Sequence, residues 1–435
     1  MRLLAALAAS LIGACASLPT GVAPSECRQR FEQADAEIAK AGVRDGGEHR
    51  VEGFPYLRVN RFLASFRDEK LFTAWVEQLR RLDLQARRAE LKNLGAASEL
   101  ASLDRCGREL VRREFETPEA RAALREAAQV PDDYSTPARV AGLYPLAVPF
   151  LGIGIEGYQS EVRKNYAKPL AQVMAPPRIE YRAAGGAAPA QVQAFAPAFS
   201  VATLSDSDRI GTPLLHGGFD VRQPVVYFQR VSTRFGGRVL PQLVYTAWFA
   251  KRPARGALDP YSGNLDAIVW RVTLDEHNRP LAYDTIHACG CYHLWFPVQP
   301  LEVRTDLTEN GDPPLLPQHG LAPKNPVLVV DGDTHFVSRV ISQSASRAQK
   351  NTKRVTYSLR SYEELRTLDD GKNGTRSLFD ANGIVAGSER GERWWLWMSG
   401  ISSPGAMRQW GRHATAFIGR RHFDDARVLE SVFVP

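Results

Sequence analysis

The sequence predicts an α+β protein: an N-terminal helical region followed by a larger antiparallel β-rich domain, folded as a sandwich or open barrel. Three observations predict it. Glu, Arg, Ala and Leu dominate residues 25–131, with apolar side chains recurring at helical spacing. Pro131, Pro137, Pro145 and Pro149 then interrupt the pattern and mark a connecting segment over 132–175. From 176 to 435, short β-branched and aromatic runs alternate with turn-forming segments, as strands do.

The chain opens on Arg2 and an apolar stretch, Leu3 to Ile12, too short to span a bilayer. Ile12-Gly13-Ala14-Cys15 follows: a branched aliphatic, two small residues and a cysteine. This run resembles the lipobox of bacterial lipoprotein precursors. The resemblance implies a signal peptide over 1–14, cleavage before Cys15, acyl chains of the palmitate kind on that residue, and a tether over 15–24. Ala16, rather than an aspartate, follows the cysteine, which in such lipoproteins implies the outer membrane, facing the periplasm or the surface. The membrane is then a partner through the lipid anchor, since several acyl chains anchor stably where one is marginal.

Within 25–131, Cys27, Phe31, Ala34 and Ile38 share one helical face, and Leu100, Leu103, Cys106 and Leu110 share another. In an oxidising compartment, two cysteines facing inward from neighbouring helices pair, so a Cys27–Cys106 disulfide is expected; the alternative is two buried thiols. Leu71, Trp75, Gln78, Leu79 and Leu82 mark a further helix, which Asn93-Leu94-Gly95 stops. Thr117-Pro118-Glu119 reads as an N-cap with proline in the first turn. Next, Leu143 to Ile155 is apolar but broken by Pro145, Pro149, Gly152 and Gly154, so it packs against protein or touches lipid at the interface.

Strands are expected at Val225–Ser232, Val239–Phe249, Ala267–Leu274 and Leu281–His287, then at 326–331, 335–341, 354–361, 393–399 and 413–420. In the third, Ile268, Trp270, Val272 and Leu274 alternate with Arg271 and Thr273, which predicts one buried face. Asp275 to Pro280 suits a hairpin loop, and Gly185–Pro197 reads as a flexible loop.

The fourth strand delivers His287-Ala288-Cys289-Gly290-Cys291-Tyr292-His293. His287, Cys289, Cys291 and His293 are candidate ligands for zinc or copper(I), ions that suit thiolate and imidazole donors. A straight strand of this length spans about 20 Å and cannot close four donors on one ion, so a four-ligand site requires a turn or bulge at Gly290. Three readings stay open: a metal site, a Cys289–Cys291 disulfide, or an inert packed turn. The body is similar to uncharacterised proteobacterial lipoproteins, with this run its most distinctive part.

No His-Glu-x-x-His, Gly-x-Ser-x-Gly or phosphate-binding glycine loop is present. Asp331-Gly332-Asp333-Thr334-His335 reads as a turn, and His216 and His319 as loop histidines able to complete a metal site. Arg393-Trp394-Trp395-Leu396-Trp397-Met398 reads as core strand, with a sugar-stacking platform as its alternative. Arg408, Trp410, Arg412, His413, Arg420, Arg421 and His422 read as a surface network with Asp424 and Asp425. The formal charge of +7 favours anionic envelope polymers or lipids; charges of both signs are interspersed, which argues against nucleic acid. The leading expectation is a lipid-anchored envelope protein binding a transition metal. The alternatives are an envelope enzyme (a metal-dependent hydrolase or thiol redox protein) and a structural lipoprotein with a Cys289–Cys291 bridge.

Overall fold

The computed structural model describes residues 26–66, 68–307, 311–321, 325–349 and 352–435; the signal peptide, Cys15 and the tether lie outside them. The protein is α+β, with a helical N-terminal region ahead of a ten-stranded sheet curled into a half-barrel. In the N-terminal region, α1 (Glu26–Lys40), α2 (Arg61–Ala64), α3 (Phe72–Leu94), α4 (Leu100–Glu114) and α5 (Pro118–Ala127) surround one apolar core. Phe31 and Ile38 of α1, Trp75 and Leu79 of α3, and Leu103 and Leu110 of α4 meet there. Gly95 stops α3 at φ 80°, and Thr117 caps α5 by accepting the Ala120 N–H. Cys27 and Cys106 are joined Sγ to Sγ between α1 and α4, with Cα atoms 5.0 Å apart.

The helical pattern of 25–131 conceals a hairpin, β1 (His49–Val51) and β2 (Phe54–Val59), laid against α3. It brings buried Arg58 to Asp83 (3.2 Å) and Glu90 (2.7 Å) of α3, while Arg87 joins Asp83 (2.7 Å) and Asp35 (2.8 Å). The charged face of α3 is therefore paired beneath β2 rather than solvated. Arg366, far along the chain, reaches Asp45 (2.5 Å) and ties the two regions together.

The segment 132–175 is largely helical: α6 (Thr136–Ala141), then α7 (Tyr144–Ala167). Pro145 sits in the first turn of α7, where no N–H is needed, and Pro149 is carried inside the helix.

The strands are β3 (Arg178–Ala183), β4 (Ala198–Ala202), β5 (Thr212–Pro213), β6 (Phe219–Asp220), β7 (Val225–Phe235), β8 (Arg238–Arg252) and β9 (Gly263–Leu274). They continue as β10 (Pro280–His287), β11 (Leu294–Pro297), β12 (Val327–Val330), β13 (Val337–Ile341) and β14 (Thr352–Ser361). The small pair β5–β6 stands apart; the large sheet runs β11-β10-β9-β8-β7-β14-β3-β4-β12-β13. From β7 to β11 it is an antiparallel meander, but β14 lies parallel to both β7 and β3, and β12 parallel to β4. Strands that return after long excursions are free of the hairpin constraint that makes neighbours antiparallel.

Phe249, Ile268, Trp270 and Tyr283 fill the concave core, which Val162 of α7 joins. The C-terminal segment covers the opposite face with Phe379, Met407 and Phe423. β9 is therefore buried on both faces rather than one, and Arg271 is fully enclosed against Asp284 (Nη2–Oδ2 2.5 Å). Two expected strands are absent. Residues 393–399 form helical turns, Arg393–Leu396 and Trp397–Ser399, and 413–420 is a loop with an isolated bridge, Ala414 to His422. The Trp-rich run lacks the polar alternation of a half-buried strand, and Gly411 and Gly419 at positive φ flank the loop.

Candidate functional site

The chain reverses directly after His287. The Gly290 N–H donates to the His287 carbonyl (2.8 Å) and the His287 N–H to the Cys291 carbonyl (2.9 Å). Ala288 and Cys289 thus occupy the centre of a tight turn, and Gly290, at φ 92°, is the left-handed bulge residue that closes it. Only glycine fits, because a Cβ there would stand 2.3 Å from the Ala414 carbonyl oxygen. Tyr292, at φ 61°, adds a second kink before β11.

The bend is present, yet it divides the four predicted ligands. His287 and Asp284 are three residues apart on β10 and so face opposite sides of the sheet. His287 Nδ1 meets Asp266 Oδ1 of β9 at 3.2 Å, whereas His293 Nε2 meets Asp284 Oδ2 at 3.0 Å. The histidines are thus committed to different carboxylates. Cys289 and Cys291 remain in the turn as free thiols, the first buried and the second half-buried, with the Cys291 N–H directed at Cys289 Sγ (3.4 Å). Among the described residues, no three His, Cys, Asp or Glu side chains form a metal-holding group.

The two sulfurs are hydrogen-bonded, with the Cys291 thiol donating to Cys289 Sγ. That bond, with burial, pushes the Cys291 thiol well up. Burial alone would raise Cys289 too, but the bond with Cys291 and the Arg390 charge bring it below its ordinary value. Cys289 is therefore the sulfur that ionises first, and its thiolate is held by the Cys291 thiol and by that guanidinium. Arg390 is buried, 3.1 Å from Asp266 Oδ1 and 3.2 Å from the Leu265 carbonyl, and so links the thiol turn to the histidine cluster.

Asp266 is the hub of that cluster. Its Oδ2 meets His335 Nδ1 at 2.9 Å, and His335 Nε2 lies 3.4 Å from Asp208 Oδ1. Asp208 Oδ2 accepts the N–H groups of Leu204 (2.7 Å) and Ser205 (2.8 Å). Phe249 stacks flat on the His335 ring at 3.9 Å. Burial works against a charge on His335, but bonds to Asp208 and Asp266 overcome it and raise its pKa. His287 goes the other way: burial outweighs Asp266 and lowers it, leaving a neutral ring. With Nδ1–H turned to Asp266, Nε2 carries the lone pair, and that atom is buried without a partner among the described residues.

His335 comes from the β12–β13 turn, at the far end of the strand order from β10; the curl of the half-barrel brings them together. The Asp331–His335 stretch is the expected turn, and it also delivers the Asp333 N–H to Asp208 (2.7 Å). His216 and His319 are exposed on loops. The predicted surface network is instead largely interior: Arg408, His413 and His422 are buried under the outer face of the sheet. The Trp394–Trp397 run, expected in the core, is exposed. Sequence reading missed Asp208, Asp266 and Arg390, which belong to no spacing motif. The available signal was Asp266 itself, a lone carboxylate entering the apolar run Ala267-Ile268-Val269-Trp270.

A separate cleft of about 740 Å³ lies between α3 and β7, with Phe62, Phe66, Trp75 and Val231 among its walls. Burial pushes Glu48 at its edge up to about 7 and Asp424 up to about 6. No family model, curated protein or solved structure matches the chain.

Proposed function

We propose that this is a lipid-anchored protein of the bacterial envelope whose Cys289–Cys291 pair exchanges electrons with disulfides, a thiol redox protein. The observation that carries the reading is the pair itself: two free thiols one residue apart, hydrogen-bonded across a glycine-locked turn beside Arg390. In the reaction, Cys289, the more acidic of the pair, takes up the Cys291 proton as the half-buried Cys291 Sγ attacks a substrate disulfide. A mixed disulfide forms and one substrate thiolate is released, which later accepts that proton from Cys289. Cys289 then attacks Cys291 Sγ and releases the second substrate sulfur. Two electrons and two thiol protons pass to the substrate, and the pair is left as a Cys289–Cys291 disulfide. The lipobox-like run at Cys15 and the joined Cys27 and Cys106 support an oxidising, exported setting.

One observation favours a second reading, a zinc or copper(I) site. His287 is fixed in the tautomer that metal-bound histidines adopt, with a carboxylate behind Nδ1 and Nε2 free. Cys289, Cys291 and His287 would supply the donors, with His293 held away by Asp284. Acid-quenched alkylation with metal analysis on one purified sample separates the two. A reversible loss of two thiols with glutathione potential supports the dithiol; stoichiometric metal with thiols released only by chelator supports the site. Thiols that stay reduced and metal-free across the titration refute both.

A further inference from the structure

The surface carries one concentrated apolar face. On α6 and α7, Val140 is 70 %, Leu143 61 %, Leu146 68 %, Phe150 75 % and Ile153 69 % exposed. α7 is apolar on two sides: Ala147, Leu151 and Ile155 turn inward, while Leu146, Phe150 and Ile153 turn outward. A helix with apolar residues all round normally lies in a core or in lipid. Against it packs the turn Trp397–Ser399, which continues the turn Arg393–Leu396, with Trp394 70 %, Trp395 46 % and Trp397 39 % exposed. These two segments, far apart in sequence, hold eight of the exposed large hydrophobic residues of the described chain.

We propose that this face docks into the interface of an anionic lipid bilayer. Charge decides for lipid over protein. Between Asp133 and Glu156 the only charged residue is Arg139, and between Glu392 and Arg408 the only one is Arg393. The two segments that carry the face thus contain no acids and one arginine each, which anionic headgroups complement. Both stack on aromatic rings of the same face, Arg139 over Tyr144 (4.3 Å) and Arg393 over Trp394 (4.8 Å). Tryptophan is the side chain enriched where hydrocarbon meets headgroups. No helix of the described residues is long and apolar enough to cross a membrane, so the face lies on the bilayer while any acyl anchor enters it. Docking of this kind is independent of the thiol chemistry.

Hydrogen–deuterium exchange of the full chain, with and without vesicles, tests it. Phosphatidylglycerol-containing vesicles should protect residues 140–155 and 393–398, and pure phosphatidylcholine should protect them less. Phe150→Asp and Trp394→Asp, both at exposed positions, should lower vesicle affinity at least tenfold, while Leu71→Asp on the remote exposed surface should not. Absence of protection, or equal protection by both vesicle types, overturns the proposal. Protection that appears without vesicles as protein concentration rises would assign the face to a second copy of the chain instead, and would also overturn it.

Discussion

Gly290 is the residue on which the thiol turn depends. Its φ of 92° and the 2.3 Å approach that a Cβ would make to Ala414 leave no room for a side chain. Gly290→Ala should cost about 1–3 kcal/mol and spread Cys289 from Cys291, seen as a lower melting temperature and slower disulfide closure. At Glu48 the sign of the pH dependence follows from burial, which lifts its carboxyl from 4.5 to about 7. The folded protein keeps a proton that the unfolded chain releases, so this contribution is full below pH 4.5 and is lost as pH rises through about 7. Glu48→Gln should therefore raise stability at pH 8 by roughly 1–3 kcal/mol and leave it unchanged near pH 4. Melting curves at the two pH values check this; destabilisation at pH 8 would mean that the charged form is the favoured one. At this scale the sequence was informative about Gly290, the one residue of the run at which a bend was expected if its donors were to meet. It was silent about where His287 and His293 point, which depends on carboxylates from other strands.

Among elements, α1 and α4 are coupled most directly by Cys27 and Cys106, 79 residues apart in sequence. A loop of that length gives about 4.5 kcal/mol in the chain-entropy model, so the double Ser variant should lose about 2–5 kcal/mol in a denaturant titration. Strands β7 to β10 were legible because turn residues such as Gly236-Gly237 and Asp275–Pro280 punctuate them, whereas β11 was not expected. β3 and β4 were not, since short strands paired to remote partners leave little local signal. The Trp394–Trp397 run misled for a related reason: aromatic density reads as core, and only three-dimensional placement shows it outside.

Over the whole molecule, the curl of the sheet sets the electrostatics of the interior. It places His335 between Asp208 and Asp266, and Arg390 between Asp266 and the thiols. Asp266→Asn would strand the Arg390 guanidinium and the His335 ring with one carboxylate fewer, at a cost of about 3–5 kcal/mol. It should also disturb the thiols through Arg390, measurable as a changed rate of alkylation in the folded protein. No single element predicts this cluster, because its members come from the β4–β5 turn, β9, β10, the β12–β13 turn and the C-terminal segment.

A redox titration of the full chain in glutathione buffers, with acid quenching, differential alkylation and peptide mass spectrometry of Cys289 and Cys291, decides whether the pair is a redox dithiol. A redox dithiol gives one reversible two-electron transition in which both thiols disappear together into an intramolecular bridge, and which Cys289→Ser abolishes. Independent alkylation of the two cysteines at every potential would contradict it.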